Sequence, residues 1–391
     1  MAGAIDGIPQ ATTAATTATM VDPAEVIDTR SQFDKQEEPN FEVHGNYQGC
    51  FCPGCLIDAN HILVKALFAS LSVASLMSTP VHANDTSAVL GAGGLSLTTS
   101  DHIAMASEDL YLSPSEVRIH YVFRNESDRD ITTTVAFPLP DIDQSAFATV
   151  FLPVEDQENF VGFKVSADGK TIHPKLEQKA FTDDGADVTT VIEKAGLPVN
   201  TRLPGWEGKA LGLPEKVWRE LVAQGLIEEE NPSDRSGDFT VNWNLRATFH
   251  WEQIFPTEKS VVIDHRYEPI VGGASIFADE VQFKDYASYC LDEQGKAGVR
   301  HLLKQARAAA KADPEKPLGI APNEVSYVLT TGANWKGPIG DFHLTIDKEN
   351  PHAVLSMCMS GLNKSGSTAF EIRRKDFTPT EDIGFVVFEG Q

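Results

Sequence analysis

Residues 116–125 read EVRIHYVFRN, and this stretch decides the fold class. Val117, Ile119, Tyr121 and Phe123 alternate with Arg118, His120, Val122 and Arg124. Successive side chains of a strand point to opposite faces, so the stretch predicts a strand with one apolar face and one mostly polar face. Asn125, Glu126, Ser127 and Asp128 then supply turn chemistry, and residues 131–137 return as an antiparallel partner rich in Thr and Val. Pro138 and Pro140 have no N–H to give a ladder, so that partner ends there.

Working outward, residues 95–100 and 103–112 also read as strands, and residues 163–165 and 170–172 flank Ala167-Asp168-Gly169 as a hairpin with glycine free to take a positive φ. Residues 176–236 turn to Pro, Gly and acids with helical pieces inside. One piece starts at Pro214, carries Val217, Trp218, Leu221 and Val222 as a stripe, and stops at Gly225. Strands resume at 243–255 and 259–270. Residues 292–312 form a long amphipathic helix with Val299, Leu302, Leu303, Ala306 and Ala310 on one face and Pro314 just beyond its end. Strand-like runs follow at 324–331, 342–347, 353–359, 369–374 and 383–388.

This order predicts an α+β protein, mainly antiparallel β and sandwich-like, with a helical insertion and one long helix. The expected organisation is a disordered upstream segment over 1–60, foreign to the natural product, a signal peptide over 61–83, and a β-sandwich-like domain over 84–175. A helical insertion or cap over 176–236 and an α+β domain over 237–391, completing the sheets, follow.

The signal peptide rests on Lys65, the apolar run ALFASLSVASLM at 66–77, and Val81-His82-Ala83 as a small-residue cleavage site before Asn84. Twelve apolar residues are too few to span a bilayer, which takes roughly 20. Its position far from Met1 points to translation starting at Leu63 or Val64. Export to the periplasm or the medium follows, with no transmembrane span after signal removal. The whole chain is acidic, at −24, and without residues 1–83 it keeps 47 acidic against 29 basic residues, a net charge of −18. Such a field argues against nucleic acid as a partner.

Cys50, Cys52 and Cys55 lie upstream, with His44 and His61 the imidazoles nearest them in sequence. They fall short of a closed zinc site. Cys290 and Cys358 remain, and an even pair in an oxidising compartment suggests a disulfide, against two separate buried thiols.

Chemistry-bearing constellations are few. GxSxG, HExxH, GxxxxGK and a Rossmann glycine pattern are all absent, and no cofactor is expected. An even-length hairpin about residues 256–259 would set His250 against His265, with Glu252 and Tyr267 on the same face. That quartet could hold a metal or do acid–base work. The competing reading is mixed polar residues on a wet strand face, and a one-residue slip would scatter them. Trp206, between glycines in PGWEG, is either a binding-loop aromatic or a packing anchor.

The stretch NDTSAVLGAGGLSLTTSDHIAMASEDLYLSPSEVRIHYVFRNESDRDITTTVAFPLPDID from Asn84, with TFHWEQIFPTEKSVVIDHRYEPIVGG later, resembles the bacterial family called domain of unknown function 4424. The resemblance covers most of residues 84–391, and it implies an exported protein and a paired Cys290 and Cys358. Residues 1–60 resemble nothing in that family. A shorter likeness links VRIHYVFRNESDRDITTTVAFPLP to the β-sandwich motif of the vault and inter-alpha-trypsin domain. The expectation is a non-catalytic binding protein of the envelope or secreted fraction, with a protein or glycan of the cell surface as partner. The alternative is a metal-dependent or acid–base hydrolase built on His250, Glu252 and His265.

Overall fold

The computed structural model describes residues 84–390 apart from 92–93, 147, 156–158, 232–237 and 278–281. The segment 1–60, the expected signal peptide over 61–83, and Cys50, Cys52, Cys55, His44 and His61 lie outside the described residues. No described helix is long and apolar enough to cross a membrane.

The alternation at 117–124 becomes the strand Val117–Asn125, with Val117, Ile119, Tyr121 and Phe123 buried and Arg118, His120 and Arg124 exposed. It sits inside an eight-stranded sheet. Across that sheet run Asn363–Lys364, Ala369–Phe377, Ile339–Asp347, Ile103–Leu112, Val117–Asn125, Ser260–Tyr267, Lys164–Ala167 and Lys170–Ile172. All these pairings are antiparallel except that of Ile103–Leu112 with Ile339–Asp347. Asp168 and Gly169 both take positive φ, 48° and 73°, as a two-residue hairpin with the native twist requires.

A second sheet lies opposite, in the order Lys175–Phe181, Asn244–Phe255, Ile131–Pro138, Thr86–Gly91 and Gly94–Thr98. Ile131–Pro138 stops at its proline, as expected. Aromatic rings fill the space between these two sheets. Phe137 stacks on Phe163 at 5.1 Å and Phe163 on Phe249 at 4.4 Å, while Phe123 meets Phe255 at 5.9 Å and Trp335 at 4.7 Å. Offset and edge-on pairs of this kind add to the large area each ring buries.

A third sheet orders Val354–Met357, Ile383–Gly390, Gly319–Tyr327, Val271–Gly272 and Val150–Phe151. The long helix Glu293–Ala312 covers it, setting Val299, Leu302 and Leu303 against Ile320, Val386 and Phe388. Asp292 caps this helix by accepting from the Gly295 N–H at 2.7 Å. In the insertion, Pro214 starts the helix Glu215–Ala223, whose Trp218 and Leu221 are buried.

Two expectations change. Strands from 84–175 and from 237–391 alternate within the same sheets, so these segments fold as one interleaved unit and not as two domains. The strands Asn244–Phe255 and Ser260–Tyr267 do not pair as a hairpin. The first joins Lys175–Phe181 and Ile131–Pro138, the second joins Val117–Asn125 and Lys164–Ala167. The turn between them carries the chain from one face of the sandwich to the other.

Cys290 and Cys358 form a disulfide, 68 residues apart with Cα atoms 5.0 Å from each other. It ties the segment before the long helix to the third sheet. Both cysteines are exposed, so reductant has access. Closing a loop of this length restricts the unfolded chain by about 4 kcal/mol in the chain-entropy model. Thermal melting with and without reductant tests this: reduction, or Cys358→Ser, lowers Tm by several degrees, and superimposable melts would refute the bond's contribution.

Candidate functional site

Between the two facing sheets lies a group of polar side chains that the surrounding aromatics seal from water. Asn84, Asp85 and Thr86 enter the core at its start, Glu108 comes from Ile103–Leu112, Tyr121 from Val117–Asn125, His265 from Ser260–Tyr267, and Tyr327 and Thr331 from the third sheet and the turn after it. All are at most 3% exposed.

A β-bulge delivers Glu108. The pairing of Ile103–Leu112 with Val117–Asn125 shifts by one between Met105 and Ser107. Ile103 and Met105 face the core before the shift, and Glu108, Leu110 and Leu112 after it. An extra residue flips the facing of everything beyond, which turns a carboxylate inward. Gly340 makes room for the bulge, since a Cβ there would lie 2.7 Å from the Ala106 carbonyl oxygen.

Asn84 is the hub. Its Nδ2 donates to Glu108 Oε2 at 3.1 Å, and its Oδ1 accepts from the Tyr121 hydroxyl and from the Asp85 N–H at 3.0 Å. Its N–H donates to Thr331 Oγ1, while the Thr331 hydroxyl donates to the Asn84 carbonyl at 2.6 Å. Trp335 Nε1 donates to the Asp85 carbonyl at 2.5 Å, and the Tyr121 and Tyr327 hydroxyls lie 3.1 Å apart. Gly332 permits this approach, because a Cβ on it would lie 2.7 Å from Asn84 Nδ2.

His265 Nε2 lies 3.5 Å from Asp85 Oδ2, beyond a good hydrogen bond. Tyr121, Phe137, Phe163 and Trp251 surround the imidazole at 4.9 to 5.6 Å, each steeply inclined to it. Burial pushes His265 down to about 3 and Glu108 up to about 8, and burial with the nearby Glu108 raises Asp85. Both Asp85 oxygens, Glu108 Oε1 and both His265 nitrogens lack a hydrogen-bond partner.

The expected quartet is therefore dispersed. His265 and Tyr267 face the sealed interior, whereas His250 and Glu252 face outward from the second sheet. There, His250 stands between Lys175 and Ala136, and Glu252 beside Thr134. They border an open groove with Ala88, Leu90, Thr132 and Thr134. Partial burial lowers the His250 pKa, opposed by Glu177 and helped by Lys175. The proposed metal set His250, Glu252 and His265 does not converge, and among the described residues no three His, Cys, Asp or Glu side chains are gathered to hold an ion.

Tyr267 borders a separate cleft with Leu139, Ile142, Tyr289 and Glu324. The Tyr289 hydroxyl donates to Glu324 Oε2 at 2.9 Å, and Arg246 holds Asp141 at that cleft's rim through two bonds of 3.0 and 2.8 Å. Trp206 is 5% exposed, donates from Nε1 to the Pro198 carbonyl at 2.8 Å, and packs on Trp243 and Phe239. That geometry is a packing anchor, although its edge reaches a shallow groove beside Arg202 and Thr201.

Sequence reasoning missed Asn84, Asp85 and Glu108. Glu108 stands between Ser107 and Asp109 in IAMASEDLYL, and its inward facing is unreadable without the bulge.

The architecture defines a β-sandwich protein with a polar core and a helix-covered third sheet. The chain belongs to the family of domain of unknown function DUF4424, which it matches over residues 83–386. A crystal structure of a candidate nutrient binding protein from Legionella pneumophila is similar at 15% identity, covering 78% of this chain and 70% of that one with a TM-score of 0.36. No curated protein matches the chain.

Two of the buried ionisable groups, His265 and Glu108, set opposite pH dependences. Between about 3 and 6.5 the unfolded chain binds a proton that buried His265 refuses, so stability is lost as pH falls through that window. Between 4.5 and about 8 the folded core keeps a proton on Glu108 that the unfolded chain releases, so this group costs stability as pH rises. His265→Phe removes only the acid-side loss, about 2 kcal/mol at pH 5 for a displacement of about 1.5 pH units. Melting curves from pH 7 to 4.5 should show variant and parent diverging on acidification, and parallel curves would sink the account.

Proposed function

We propose that the chain is an exported, non-catalytic binding protein that engages a protein partner of the cell envelope through the outer face of its second sheet. The observation that carries this is the division of the polar residues. The cluster of Asp85, Glu108 and His265 is sealed in the core, while the open groove sets His250, Glu252, His173 and Lys175 among threonines and aliphatics, with Trp251 in its lining.

Leu90 and Ile254 stand 60% and 57% exposed. Ile254 lies opposite Thr132, and Ala88 and Glu252 both lie opposite Thr134, so the aliphatic residues and the threonines share one face. Exposed aliphatics rimmed by His250, Glu252 and Lys175 suit a protein surface better than a sugar, which would take exposed aromatic platforms.

The exported chain, cross-linked in an envelope fraction, should capture a defined protein, and Leu90→Asp with Ile254→Asp should lower that capture at least tenfold while leaving Tm within about 2 °C, since surface changes shift stability little. A hydrolase panel run beside it should show no turnover. Turnover abolished by His250→Ala or Glu252→Gln would overturn the reading, and binding to a glycan array instead of a protein would reassign the partner.

A further inference from the structure

The sealed cluster holds two carboxyl groups and the imidazole of His265, and no lysine or arginine. Asp85 and Glu108 are fully buried, the charged group acting on Asp85 is Glu108, and among the described residues no lysine or arginine acts on either. Three of their four oxygens have no hydrogen-bond partner. Buried carboxylates are retained when a cation or enough donors compensate them, and a core that supplies neither is incomplete.

Besides the imidazole of His265, 3.5 Å from Asp85, one further group at this place can become a cation. The backbone nitrogen of Asn84 sits inside the cluster on Thr331 Oγ1, its own side chain touches Glu108, and its neighbour is Asp85. The family's shared region opens at residue 83, at the same junction. We infer that cleavage between Ala83 and Asn84 completes the core, because the new α-ammonium of Asn84 becomes the buried counter-cation of Asp85 and Glu108. This rests on the export reading above.

The chemistry balances simply. A signal peptidase and one water hydrolyse the Ala83–Asn84 peptide bond, leaving a carboxylate on Ala83 and an amine on Asn84 that takes up a proton. An amide N–H at residue 84 is a single donor without charge, and Thr331 uses it. An ammonium offers three donors and a positive charge. One donor keeps the bond to Thr331, and two are free for the orphaned carboxylate oxygens. With His265 neutral, one carboxylate is then neutralised, and the second keeps its proton or leaves a single net charge.

Processing would thus act as a late stabilising step, and a chain still attached to its leader would hold a weaker core.

The test uses the protein exported from the full chain and purified from the envelope fraction. N-terminal sequencing should read Asn84. The α-amine of the native protein should react with a soluble amine reagent at least 100-fold more slowly than in denaturant, while surface lysines react freely. The same protein retaining Ala83 through a site-specific protease junction should melt about 5–10 °C lower, the size expected for breaking one buried charge pair in a chain of this length. That difference should shrink by more than half in a Glu108→Gln background, and where that variant folds poorly, Asp85→Asn or amine labelling alone decides. A start at Asn84 with a freely reactive amine and no effect of the added alanine would overturn the inference and leave export intact. A start at any other residue would overturn the junction itself.

Discussion

The hydrogen bonds of Asn84 hold together parts of the chain that are far apart in sequence. Its backbone and side chain reach Thr331, Tyr121 and Glu108, and through Tyr121 they reach Tyr327. One residue therefore ties the start of the second sheet to the eight-stranded sheet and to the third. Asp85 and Thr86 extend the tie, accepting from Trp335 and Asn334. A buried polar network is stabilising only when it is closed, and most bonds of this one depend on the short segment Asn84–Thr86. The aromatic shell raises the stakes, since it excludes the water that could substitute for a missing partner.

Much of the fold was legible in the sequence. Alternation at 117–124 marked a half-buried strand, Asp168-Gly169 marked a tight hairpin, and the apolar stripe of 299–310 marked a long amphipathic helix. Each signal is local, and each came through. The pairing of Cys290 with Cys358 was legible by their even count and the expected compartment together with family resemblance.

The candidate site was less legible, for two physical reasons. A tight turn at 256–258 says that the chain reverses, not that the flanking strands pair, and here they part to opposite sheets. His250 and His265 thus end on different faces although the number pattern would set them together. The bulge at Ala106 is the second reason. Strand parity read from Ile103 and Met105 places Glu108 in solvent, and one inserted residue reverses that. Asn84 and Asp85 gave no signal at all, because a polar pair ahead of a glycine-rich stretch resembles a lead-in until the threonine and tryptophan that hold it are known.

The parallel pairing of Ile103–Leu112 with Ile339–Asp347 carries a consequence for the order of assembly. Tyr111 and Asp347, hydrogen-bonded at 3.2 Å, lie 236 residues apart. The centre of the largest sheet thus stays open until residues 339–347 are available to pair. Closing so long a loop is entropically costly and slow. Strand edges in the first third therefore wait for their partners longer than those of a hairpin-built protein. A nascent chain of this kind needs protection from self-association, and the strand Ile339–Asp347 decides when that vulnerability ends.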